Sequence, residues 1–133
     1  MGEVVLQCAV KTAWNAKPRR ISLFFDSGSA YTFLRHSEAK RLGHLLKLSA
    51  SRPFLGMGDG HFASTHLVDL WLLLADVWCR HPTYVISDGA TDVPLLVGHD
   101  FMQRFDIKLN LKTRQAIINR ESLLRAQRIR RLR

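Results

Sequence analysis

The sequence predicts an all-β domain, a barrel or sandwich carrying one or two short helices. Three observations lead there. Short apolar, strand-like segments recur, with turn signals about every eight to twelve residues. Helical spacing is clear over one longer stretch only, Arg35 to Leu46, where Ala39, Leu42 and Leu45 fall on one face. The chain is 133 residues long, enough for one real core and too short for two.

Taken in order, Val4 to Val10 and Arg20 to Phe25 read as two strands joined by the polar turn Ala16-Lys17-Pro18-Arg19. After Asp26-Ser27-Gly28-Ser29, the residues Ala30 to Leu34 are again β-branched and aromatic. A short helix follows within Arg35 to Leu46, weakened near its end by Gly43. Pro53 to Phe62 holds three glycines in five residues, and Asp59-Gly60 is a strong hairpin signal. The stretch lacks the closing Gly-Lys-Ser/Thr of a phosphate loop and leads into strand-like residues, so a flexible β-hairpin is the better reading. Leu67 to Cys79 is apolar at both odd and even positions, as in a strand with two dry faces lying between layers. Thr83 to Ile86 reads as a strand, with a turn at Asp88-Gly89. Leu95-Leu96-Val97 is another apolar run, ending in Gly98-His99-Asp100 before a helical turn through Phe101 to Arg104. Two last strands, Ile107 to Leu111 and Gln115 to Asn119, are joined at Lys112-Thr113-Arg114. Leu23 to Gly28 and Leu95 to Asp100 have the same plan, an apolar strand entering a glycine-containing polar turn, which suggests an internal pseudo-repeat.

The composition, 47% hydrophobic and 23% charged, suits a soluble globular protein. The longest apolar run is thirteen residues and contains Asp69 and Asp76, too short and too charged to span a bilayer. The N-terminal residues lack the pattern of a signal peptide. Cys8 and Cys79 both sit in apolar runs, as buried free thiols of a reducing, cytoplasmic setting would. The net charge of +9 is uneven, because Arg120 to Arg133 alone contributes +5. Residues 1–119 therefore read as the folded domain and 120–133 as a basic C-terminal tail, a solvated helix or frayed end. Such a tail can contact nucleic acid. The body does not interleave aromatic with basic residues along the sequence, so nucleic acid is not the expected main partner, and no membrane partner is expected.

The stretch with chemical content is Ile21-Ser22-Leu23-Phe24-Phe25-Asp26-Ser27-Gly28-Ser29. A core strand runs directly into a carboxylate. Leaving a buried carboxylate uncompensated costs several kcal/mol or more, about the scale of a whole domain's stability. Ser27 and Gly28 supply a hydroxyl and turn N–H groups to compensate it. Taken alone, Asp-Ser-Gly is an ordinary surface turn.

The combination of segments resembles the retropepsin-like aspartic proteases, their cellular and bacterial branch more than the viral enzymes. It is carried by the strand into Asp26-Ser27-Gly28-Ser29, the helix segment Ala39-Lys40-Arg41-Leu42-Gly43, the hairpin Gly56-Met57-Gly58, and Leu95-Leu96-Val97-Gly98-His99-Asp100-Phe101-Met102 before a closing strand pair. It spans roughly residues 4 to 119. The resemblance implies an acid-protease barrel forming a two-fold symmetric homodimer. Asp26 would be catalytic, and Ser27, Gly28 and Ser29 would support it. Gly56, Met57, Gly58, Asp59, Gly60 and His61 would form the flap over the substrate. Leu96 would line an apolar subsite, and Gly98 would let the second strand approach the catalytic loop. Two departures stand out. Ala30 and Tyr31 occupy positions where viral members carry acidic residues, and the arginine-rich end extends beyond the usual last strand.

The chemistry explains the dimer. Peptide hydrolysis by carboxylates needs one group to deprotonate water and another to protonate the leaving amide. Two carboxyls about 3 Å apart share a proton and titrate as a pair. The chain holds one Asp-Ser-Gly, so the pair requires Asp26 of a second copy across a two-fold axis. The expected activity is an aspartic endopeptidase acting on an extended peptide, with no cofactor and no metal. The alternative is a dimeric binding module with the protease-like fold and an inert acid pair. His61, His66, Cys8 and Cys79 do not follow a zinc-ligand spacing, and no serine- or cysteine-hydrolase motif is present.

Overall fold

The computed structural model describes residues 3–55 and 61–131. Among the described residues, nine strands and three α-helices make one barrel with short attachments. The strands are β1 (Val4–Lys11), β2 (Arg19–Phe25), β3 (Phe33–Arg35), β4 (Leu46–Leu55), β5 (His61–Leu74), β6 (Val77–Ile86), β7 (Leu95–Val97), β8 (Lys108–Asn110) and β9 (Gln115–Ile117). The helices are α1 (His36–Leu42), α2 (His99–Arg104) and α3 (Arg120–Arg131), with a single 3-10 turn at Asp88–Ala90. The sheet order is β1-β2-β7-β3-β6-β5-β4, and a further β1–β5 pairing closes six of these strands into a barrel with β4 outside the ring. β8 and β9 form a separate two-stranded sheet.

The two segments with the same sequence plan are direct neighbours. β2 and β7 run parallel, with Leu23 opposite Leu95, Phe24 opposite Leu96 and Phe25 opposite Val97. Both strands therefore release their polar turns at the same end of the barrel, and the next positions in register are Asp26 and Gly98.

Leu67 to Cys79 is not one strand. Ala75 and Asp76 have φ values of 45° and 61°, a two-residue turn of the kind that matches the twist of flanking strands. Leu72 pairs back onto Cys79 and Leu74 onto Val77. The turn also changes which positions face inward. Val68, Leu70, Leu72 and Leu74 are buried before it, and Val77, Cys79, His81, Thr83 and Val85 after it. The apparent two dry faces are thus the single inner faces of two strands, read through a turn that lacks the usual glycine.

Three boundaries differ from expectation. The strand expected over Ala30 to Leu34 starts only at Phe33, because residues 29–31 carry the loop that receives His99 and Asp100. The helix expected to reach toward Leu46 stops at Leu42. Gly43 sits at φ 82° and donates its N–H to Ala39 O at 2.8 Å, ending the helix in a conformation that glycine takes without strain. Leu46 to Leu55 then forms β4; Pro53 to Leu55 are the first arm of the expected hairpin, paired with His61 to Ala63, and Leu46 to Arg52 extend it as strand not expected from the sequence.

The core gathers Leu23, Leu34, Leu70, Leu72, Leu95, Phe101 and Phe105 from the barrel and α2. Cys8 and Cys79 are free and buried there, and burial pushes both thiols up to about 12. The arginine-rich end contributes to the same core. Asn119 caps α3, its Oδ1 accepting the Ser122 N–H at 3.2 Å. Leu123, on the first turns of that helix, is 0% exposed. The side-chain amide of Gln127 donates to the Trp78 carbonyl of β6, fixing the helix to the barrel wall.

Candidate active site

Asp26 leaves the end of β2 with its backbone held and its side chain exposed. Its N–H donates to Val97 O at 2.9 Å, continuing the β2–β7 pairing by one step. Its carboxylate Oδ1 accepts the Gly28 N–H at 2.9 Å, and the Ser29 N–H closes the turn onto Asp26 O at 3.1 Å. A turn N–H on the carboxylate holds the side chain's orientation.

The loop is held from the other side by the segment after β7. His99 N–H donates to Ser29 O at 2.7 Å, and Asp100 N–H to Ala30 O at 3.1 Å. Gly98 makes this approach possible. A Cβ there would lie within the carbonyl group of Tyr31 and 2.9 Å from Ser29 O. No side chain fits. The sequence-predicted residues Asp26, Ser27, Gly28, Ser29 and Gly98 thus come together at one end of the barrel, with Leu96 half-buried on β7 between Phe24 and Phe33. His61 is exposed at the start of β5, opposite Leu55. Gly56, Met57, Gly58, Asp59 and Gly60 lie outside the described residues.

Behind the loop is a polar network that sequence reasoning missed. The hydroxyl of the fully buried Thr32 donates to Asp100 Oδ1 at 2.7 Å and accepts the Gly98 N–H at 3.1 Å. Asp100 also accepts the Phe101 N–H at 2.7 Å, and its Oδ2 lies 3.0 Å from His81 Nε2. Burial alone would raise the Asp100 carboxyl. The hydrogen bonds from His81, Thr32 and Phe101, with the attraction of the His81 ring, outweigh it and hold the carboxyl below the usual carboxylate range. His81 is buried against Phe101, with the rings edge to face at 5.3 Å.

A second group was also missed. Tyr31, Phe33, Phe54, Phe62 and Tyr84 form one aromatic cluster where β3, β4, β5 and β6 meet. The Arg52 guanidinium lies over the rings of Tyr31, Phe54 and Tyr84 and donates to both tyrosine hydroxyls, at 3.0 Å for Tyr31. The Tyr31 phenol thus holds an arginine. The available signal was the coincidence of aromatic residues flanking both the Asp26 loop and the glycine-rich hairpin.

No protein-family model matches the chain, and no curated protein matches it in sequence. Solved structures do. The retroviral protease-like domain of Ddi1 from Leishmania major superposes with a TM-score of 0.62 at 19% identity, covering 88% of this chain and 90% of that one. EIAV protease, solved with the inhibitor HBY-793, superposes with a TM-score of 0.55 at 16% identity, covering 80% of this chain and 91% of that one. The fold is retropepsin-like. In this retropepsin-like barrel, β2 and β7 present the Asp26 and Gly98 turns side by side. Among the described residues, no group of three or more His, Cys, Asp or Glu is placed to hold a metal, and no helix is long and apolar enough to cross a membrane.

Proposed function

We propose that the chain is an aspartic endopeptidase that works as a homodimer. The observation that carries this is the setting of Asp26, an exposed carboxylate at the end of a core strand, held by its own turn and by Val97. One such carboxylate is half of a catalytic device. With Asp26 of a second copy across a two-fold axis, the two groups share a proton. The ionised one takes a proton from a water held between them as that water attacks the scissile carbonyl. The protonated one donates the shared proton to the carbonyl oxygen, giving a neutral gem-diol. As the C–N bond breaks, the proton taken from water passes to the leaving amine, and a gem-diol hydroxyl returns a proton to the other carboxylate, restoring the pair. No covalent intermediate forms.

The surface beside the loop supports pairing. A cavity next to Ser27 is lined by His99, Met102 and residues of β8, and it continues to Leu111. Leu111 and Ile117 are large, exposed apolar residues flanking or within the small β8–β9 sheet. Burial of such residues drives association in a two-fold contact. Substrate would lie extended and be held by main-chain hydrogen bonds, with Leu96 favouring apolar residues beside the cut.

The test is digestion of a peptide library from acid to neutral pH, with sedimentation run in parallel. The wild-type chain is expected to cleave and to sediment as a dimer. Asp26→Asn is expected to remain dimeric and to lose about a thousandfold or more in rate. Peptide binding without cleavage by the wild type would instead support the inert binding module. Undiminished cleavage by Asp26→Asn would exclude Asp26 as the catalyst.

A further inference from the structure

All three tryptophans of the chain, Trp14, Trp71 and Trp78, meet at one place away from the Asp26 loop. They come from the β1–β2 connection, β5 and β6, and they line an open cavity of about 610 Å³ between the barrel wall and α3. Trp14 and Trp71 lie with ring centroids 5.3 Å apart, and Trp14 is 66% exposed. A large exposed indole needs a reason beyond the core.

The charges around it are mainly positive. Arg80, Arg104 and Arg120 line the same cavity. Arg80 lies over the Trp71 ring at 5.1 Å and pairs with Asp69, so that carboxylate is already neutralised. Asp76 is the carboxylate that lines the cavity. Lys11 Nζ lies 4.4 Å from the Trp14 centroid and 4.2 Å from that of Trp78, and it donates to Trp14 O at 2.9 Å. The chain's own ammonium therefore fills the inner side of this aromatic cage. A cationic ligand has no place there, and arginine borders the Trp71 ring and lines the rest of the cavity.

We propose that this face binds single-stranded nucleic acid, with unpaired bases stacking on Trp14 and phosphates running toward Arg120 and α3. Planar rings bordered by arginine are what such a ligand requires. Stacking tolerates any base, and the backbone is held by charge. A duplex keeps its base faces covered, so it can use the arginines but not the indole. Arg125 adds a further positive charge to α3. In sequence these aromatic and basic residues are scattered. The fold alone assembles them.

Because every tryptophan of the chain is in the site, intrinsic fluorescence reads occupancy directly. The full chain would be titrated with an oligothymidylate of about ten nucleotides, within the usual site size. Quenching that saturates is expected, with Trp14→Ala binding about tenfold more weakly in fluorescence anisotropy with labelled oligonucleotide and Trp14→Phe retaining most of the affinity. Arg120→Gln should make the log-affinity against log-salt slope shallower by about 0.7, as expected for one phosphate contact to a single strand. Circular dichroism would confirm that each variant is folded. No quenching at low salt would overturn the proposal. So would Trp14→Ala binding as tightly as wild type, or a duplex or anionic lipid vesicle binding as well as the oligothymidylate, since each of those means attraction by charge alone.

Discussion

Thr32 and Asp100 are 68 residues apart in sequence, yet the Thr32 hydroxyl donates to Asp100 Oδ1 at 2.7 Å in the buried floor beneath the Asp26 loop. The Thr32 hydroxyl oxygen in turn accepts the Gly98 N–H. One hydroxyl therefore joins the two turns that leave β2 and β7. Thr32→Val keeps the shape but leaves a buried N–H without its acceptor and a carboxylate short of a donor. The expected loss is about 1–3 kcal/mol, measured from urea midpoints. Thr32→Ser keeps the hydroxyl and should lose only about 0.8 kcal/mol for one buried methyl. Equal losses in the two variants would mean that the hydroxyl contributes nothing.

Asp100 makes the stability sensitive to acid. Its carboxyl is held below the usual range in the fold, so the unfolded chain binds the proton at higher pH than the folded chain does. The contribution is fully present above the unfolded value of about 3.9 and is lost as pH falls through the lower folded value. Asp100→Asn removes this dependence. Unfolding free energies of the two proteins should differ most at neutral pH and converge as pH falls below about 4. A constant difference across that window would contradict the assignment.

Gly98→Ala tests the close approach of the two loops. The new methyl would collide with backbone, the carbonyls of Tyr31 and Ser29, and no flexible side chain is there to move aside. The expected loss is about 3 kcal/mol or more, seen as a lower thermal midpoint. A variant as stable as wild type would show that the loops can separate freely.

Leu123 makes α3 part of the domain. Leu123→Ala should lose about 2–5 kcal/mol, the usual range for a fully buried leucine. A chain ending at residue 119 should be destabilised at least as much, since it also loses the packing of Leu124 and Ala126 against the core. Thermal unfolding of both checks this. Unchanged midpoints would mean that the helix is dispensable.

These residues mark what the sequence makes legible. The Asp26 and Gly98 turns are visible because each follows an apolar run that only a buried strand explains, and the matching plans of the two runs foreshadow their parallel pairing. Most of β4, Leu46 to Arg52, is invisible for a physical reason. All the residues of this strand are exposed or half-exposed, so it has no alternating pattern and owes its form to pairing with β5. The Ala75-Asp76 turn is hidden by its ordinary residue types, although the shift of apolar positions from even to odd across it is a usable signal. Arg120 to Arg131 reads as a solvated end because arginines dominate it, while the few apolar residues that anchor it, Leu123, Leu124 and Ala126, carry no motif. The network of Thr32, His81 and Asp100 is assembled only by the fold, since polar residues so far apart leave no local pattern.

The barrel wall is uneven in strength. Seven residue pairs join β1 to β2 and nine join β5 to β6, but the ring is completed by only two, Val10 with Leu72 and Lys11 with Trp71. The joint between β3 and β7 is equally short, with Phe33 opposite Leu96 and Leu34 opposite Leu95, so thermal breathing should favour these two places. The last rung of the β1–β5 joint is also where the tryptophans gather, so a molecule resting on them would brace that seam.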